Sequence, residues 1–155
     1  MGVELDQECI CRCVARGINV VHADLDEGLG SFADRSYDYV VLSQTLQTVH
    51  QPDLVLREML RVGRRCIVSF PNFGHWKARL QVLLGGTVPV TANLPFRWYD
   101  SPDVHFVSIR DFERHCGQLG ARILTRLPLV HWSRTQVRVL PNLRAEEAIF
   151  VIAKD

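Results

Sequence analysis

The chain has 155 residues, 47% of them hydrophobic and 23% charged, and a formal net charge of +1. That length suits one domain, and a chain of this size buries roughly 70% of the surface its unfolded form exposes, so a core forms without metal or disulfide staples. The near-neutral balance excludes a broad basic field for nucleic acid, and no apolar run reaches the roughly 18 residues that cross a bilayer.

In chain order, "GVELD" reads as the last residues of a buried strand closed by an acid, Glu4. Asp6 is placed to cap a helix running to about Arg16, with Ile10, Cys13 and Val14 on its buried face and Gly17 as its stop. "INVVHADL" (18–25) is a β-branched apolar run that suits a parallel strand covered on both faces. A polar loop follows, then the strand "YDYVVLS" (37–43) and an irregular link. Pro52 opens a helix whose inner face is Val55, Leu56, Met59 and Leu60, ending at Val62-Gly63. "RRCIVSF" (64–70) is the next strand, and 75–84 reads as a helix stopped by Gly85-Gly86.

Residues 87–107, "TVPVTANLPFRWYDSPDVHFV", form a long loop with three prolines, Trp98 and Tyr99. A loop of that length in a compact domain is usually functional or mobile. Ser108 and Asp111 make a capping-box-like start to a helix that ends at Leu119-Gly120. "ARILTRL" and "EAIFVIAK" are the last strands.

Alternating strands and helices predict an open α/β sheet, mostly parallel, with helices on both faces. Ligands of such sheets bind beyond the carboxyl ends of the strands. The residues at those ends are Glu4, Asp24, Gln44 and Asn72. A carboxylate at Glu4 suits ribose hydroxyls, Asp24 an exocyclic amine, Leu25 the face of a base, and Gln44 the reacting end of a ligand. Acids also end strands simply because water solvates them there.

The five cysteines are an odd number, and three crowd into "CICRC" at 9, 11 and 13. Neighbours this close rarely meet disulfide geometry, and no charged-then-apolar leader opens the chain, so free thiols in a reducing cytoplasm are expected. On a helix Cys11 points away from Cys9 and Cys13, and no His–Cys pair has zinc spacing, so no metal site is expected. His50, His75 and His105 lie in loops or at element boundaries, and His75 and His105 are the candidates for an acid–base role. Trp76, Trp98 and Tyr99 suit either packing or an interface.

The ordered set "GVELD", "INVVHADLDEGL" and "SYDYVVLSQTLQTVHQPDLVLREMLRVGRRCIVSFPNFGHW" resembles the class I S-adenosylmethionine-dependent methyltransferase fold. More closely, "DYVVLSQTLQTV", "VLREMLRVGRRCIVSFPNFGHW" and "LPFRWYDSPDVHFVSIRDFE" resemble the methionine biosynthesis protein MetW family. The likeness covers essentially the whole chain, and "SFPNFGHW" is its most specific part.

The resemblance implies a Rossmann-like sheet with its last strand antiparallel, in which Glu4 ends the second strand. The first strand, its glycine-rich turn and the first helix are then expected upstream, so that residues 1–155 are a single but N-terminally incomplete domain. The absent strand would lie between the strand ending at Glu4 and that at 37–43. S-adenosylmethionine is the implied cofactor, held by Glu4, Asp24, Leu25 and Gln44, with weak or absent binding expected for these 155 residues alone.

The implied role is an accessory partner of a MetX-type homoserine O-acyltransferase, with Asn72, Trp98 and Tyr99 as partner or acceptor contacts and no nucleic acid or membrane involved. An active small-molecule methyltransferase, working by proximity and orientation, is the alternative. A nicotinamide-dependent oxidoreductase is a third reading, disfavoured by the "AEEAIFVIAK" ending and the "SFPNFGHW" match.

Overall fold

The computed structural model describes residues 1–130 and 135–154. Its described strands form two sheets. β1 (Gly2–Glu4) and β2 (Val20–His22) make a parallel pair. β3 (Tyr37–Ser43), β4 (Gly63–Pro71), β5 (Ala121–Leu129) and β6 (Glu147–Lys154) make the other, in the order β3-β4-β6-β5. β3 and β4 are parallel, and β6 is antiparallel to both β4 and β5.

The core sits on the larger sheet. Alternation along β4 buries Cys66, Val68 and Phe70, which lie opposite Ile152, Phe150 and Ala148 of β6. Side chains two apart share a face of a strand, so these six form one apolar surface. Helix α2 (Pro52–Val62) covers the sheet with Val55, Leu56, Met59 and Leu60, all buried. Helix α4 (Ile109–Gln118) packs Phe112 against both Phe70 and Phe150, with ring centroids 4.9 and 4.8 Å away. Ser108 caps α4 by accepting from the Asp111 amide, as its sequence predicts.

Four elements differ from expectation. Helix α1 (Gln7–Ala15) forms behind its Asp6 cap, but buries no residue, and Val14 is 61% exposed. It packs mainly on β1 and β2, strands of three residues each, which are too small to cover an amphipathic face. For the same reason "INVVHADL" yields only Val20–His22 as strand, with Val20 and Val21 half-buried and His22 exposed instead of covered on both faces. Residues 75–84 become a short helix, α3 (Trp76–Leu80), that widens into a π-helical turn over Gln81–Gly85. A further helical turn, α5 (Pro141–Arg144), interrupts the polar stretch before β6.

β1 and β3 lie side by side without pairing. Met1 Sδ lies 4.0 Å from Tyr37 Oη, so the two strands begin at the same end and run in the same direction. Between them is a groove of about 500 Å³, lined by Met1–Leu5, by Tyr37 and Tyr39–Ser43, and on its floor by Val55, Met59 and Val62 of α2. This is the place where the sequence reading expects a strand.

Candidate functional site

The carboxyl end of the groove gathers residues from three elements. Glu4 ends β1, Asp24 and Leu25 follow β2, Ser43 ends β3, and Thr45 and Thr48 follow it; all line the groove with Asp26. Each acid is oriented by local backbone. Glu4 Oε1 accepts from the Leu5 and Asp6 amides at 2.9 and 3.0 Å. Asp24 caps the 3₁₀ turn Leu25–Glu27, its Oδ1 accepting from the Asp26 amide at 2.8 Å. One oxygen of Glu4 and one of Asp24 are thereby left without a hydrogen bond among the described residues.

Asp26 was not legible as a site residue. Its two oxygens accept from the amides of His50 at 3.0 Å and Gln51 at 2.7 Å, and these bonds, the His50 amide foremost, hold its carboxyl below the usual carboxylate range. It pins the link that leads into α2, whose own N-cap, Gln51, makes no side-chain cap. The signal was an acid-rich "DLDEG" set against a helix start lacking a local cap, and pairing the two needs tertiary distance.

The other residues singled out in the sequence scatter. Gln44 follows β3 in a left-handed backbone conformation (φ 53°), its amide donating to Ser69 O and Oγ, and it is exposed beside the groove without lining it. Such a φ costs roughly 1–3 kcal/mol outside glycine. His75 lines a separate small cavity with Asn72, Lys77 and Glu146, and burial holds its imidazole pKa below the ordinary value. His105 is half-buried, with Nε2 3.5 Å from the His50 carbonyl, and lines none of the described cavities. Trp98 and Tyr99 stack edge to face on the long loop, 76% and 62% exposed.

Asn72 is 2% exposed, and its amide is committed to the chain's own backbone. Nδ2 donates to the carbonyls of Ala145 at 2.7 Å and Asn142 at 3.1 Å. Oδ1 accepts from the amides of Gly74 at 3.0 Å and Ile109 at 3.3 Å. One side chain so ties the end of β4 to the start of α4 and to α5. Gly74 allows this approach, since a Cβ there would come within 2.9 Å of Asn142 Oδ1 and 3.0 Å of its carbonyl.

The groove's described lining contains Glu4, Asp24 and Asp26 and no lysine, arginine or histidine. In an apolar setting such acids favour a ligand that carries positive charge and offers hydroxyl or amine donors.

Solved structures share this architecture. A methyltransferase dependent on S-adenosylmethionine from Thermotoga maritima, described as a possible histamine N-methyltransferase, superposes with a TM-score of 0.67 at 17% identity, over 99% of this chain and 72% of that one. Methyltransferases of the same cofactor class from Archaeoglobus fulgidus and Mesorhizobium loti give 0.69 at 13% identity and 0.68 at 19%. They cover 99% and 97% of this chain, and 75% and 78% of theirs. The fold is that of the Rossmann-like S-adenosylmethionine-dependent methyltransferases.

Sequence narrows this further. The chain matches the bifunctional methionine biosynthesis protein MetXA/MetW of Rhodopirellula baltica at 37% identity over 161 residues, spanning all of this chain and 25% of that relative. Residues 1–152 match the methionine biosynthesis protein MetW family, and the chain belongs to it. The chain thus joins a MetW-family sequence to a methyltransferase-like fold. Among the described residues no helix is long and apolar enough to cross a membrane.

Proposed function

We propose that this protein is an accessory partner of a MetX-type homoserine O-acyltransferase and that its groove senses S-adenosylmethionine. The observation that carries the reading is the relative whose one polypeptide bears both the MetXA and MetW names. Two activities tethered in one chain meet at millimolar effective concentration, an arrangement that suits proteins which otherwise associate as separate chains.

The groove supports the second half of the reading. S-adenosylmethionine is a sulfonium cation with ribose hydroxyls, an adenine amine and an ammonium. Glu4 would accept from the hydroxyls, Asp24 from the adenine amine, and Leu25 would lie against the base. Val3 and Leu42, which line the same groove, would meet the ligand's carbon skeleton beside these charged hydrogen bonds. Methionine is the precursor of this cofactor, so its binding would report the end of the pathway to an enzyme near its start.

The test is calorimetric titration of the native protein with S-adenosylmethionine, alone and with the acyltransferase. Removing one charged acceptor costs about 1.5–3 kcal/mol, so Glu4→Gln or Asp24→Asn should weaken binding roughly tenfold to a hundredfold. Absence of any acyltransferase complex would overturn the partner reading. Variants that bind the cofactor as the parent does would overturn the groove assignment.

A further inference from the structure

The helix after β4 is turned the wrong way for a free surface. Trp76, Leu80, Leu83 and Leu84 recur at helical spacing and share one face, while Ala78, on the other side, is the residue buried against the domain. Trp76 and Leu80 are 46% and 44% exposed, and Leu83 and Leu84 are 79% and 77% exposed. Gln81 clamps the following loop to this helix, its Nε2 donating to the Val90 carbonyl at 3.0 Å and its Oε1 accepting from the Val90 amide at 2.8 Å. That brings the exposed side chains of Val88 and Val90 alongside.

These six side chains present on the order of 600 Å², at or above the largest apolar patch of a typical monomer. A stable interface of standard size takes roughly 800 Å² from each partner, with an apolar centre and a polar rim. The patch supplies most of one such half. Its rim is polar: Lys77 lies 5.9 Å over the Trp76 ring and 3.5 Å from Glu146. None of the six lines the acid groove, so the face and the ligand site can be used at once.

We propose that this face, centred on Leu83 and Leu84, is where the acyltransferase docks; the inference rests on the partner reading above and locates its interface. The exposed leucines form the apolar centre of the interface, and the Gln81–Val90 hydrogen bonds hold the loop against the helix. The π-helical turn widens the helix where Leu83 and Leu84 project, which spreads the apolar face.

The experiment compares the native protein with Leu83→Glu/Leu84→Glu, both expressed from their own locus, by co-purification and by equilibrium binding to the acyltransferase. Both positions are exposed, so far-UV circular dichroism should be unchanged. The parent should form the complex, and the double variant should bind at least tenfold more weakly. A Gln81→Ala variant, which frees the loop, should fall between them. If the parent forms no complex, the partner reading itself fails. If the parent binds and the double variant binds as well, the complex stands but this face is not its site. If light scattering shows the parent self-associated and the variant monomeric with acyltransferase binding intact, the face serves a second copy and the proposal is overturned.

Discussion

Replacing Asn72 by alanine removes its four side-chain hydrogen bonds, three of which tie the end of β4 to the start of α4 and to the α5 region. Ala145 and Ile109 are 0% and 1% exposed and Gly74 is buried, so their freed carbonyl and amides meet no water, whereas half-buried Asn142 is better placed to be hydrated. A buried polar group left unpaired costs about 1–3 kcal/mol. Some relaxation is expected, and the total comes to about 3–5 kcal/mol. At roughly 2–4 °C per kcal/mol for a domain of this size, the melting temperature should fall by about 10 °C. Urea denaturation followed by circular dichroism measures the free-energy loss, and a thermal melt the shift in melting temperature.

Asn72→Asp sharpens the test. The introduced carboxyl keeps one acceptor but turns the other oxygen on the carbonyls of Asn142 and Ala145. Burial beside carbonyls raises its folded pKa above the ordinary value of about 3.9. Its stabilising, protonated form is therefore fully present below about pH 3.9 and is lost as pH rises through the raised value. The deficit against the parent should be large at pH 7 and shrink toward pH 5. A loss under 1 kcal/mol for Asn72→Ala, or a pH-independent deficit for Asn72→Asp, would refute the reasoning.

Three other outcomes are expected. Cys66 and Cys116 are buried, their thiols pushed up to about 12 and about 11 by burial, so timed alkylation at pH 8 read by mass spectrometry should modify Cys9, Cys11 and Cys13 first. The His75 imidazole, depressed by burial, should titrate below about 6.5 in an NMR titration, and the stability it contributes is present above that value and lost as pH falls through the folded one. Asp26→Asn, which turns one of two charged acceptors into a donor, should cost about 1.5–3 kcal/mol near neutrality and flatten the acid limb of the stability profile. The sign follows from its lowered pKa: the stability that carboxylate adds is present above about 3.9 and lost as pH falls through its folded value.

Much of the architecture is local enough to read from the chain. The β3 strand, the α2 helix with its Pro52 start and the β6 strand fall at their expected bounds, because each carries its own periodicity and end signals. Glu4 at the end of β1 was legible for the same reason, whereas Asp24 falls two residues beyond β2, where it caps the turn Leu25–Glu27. The family resemblance was legible too, concentrated in "SFPNFGHW".

Tertiary structure decided what those residues do. It buries Asn72 in the fold, because only folding brings residues 109, 142 and 145 to within hydrogen-bonding distance of residue 72. It sends His75 and His105 away from the groove. It leaves α1 exposed, because amphipathic spacing states which face seeks cover and not whether a neighbour exists to provide it. It also turns the leucines after Trp76 outward, where the same apolar spacing would read as core. A sequence encodes which surfaces are apolar; only the packed chain determines which of them remain to meet something else.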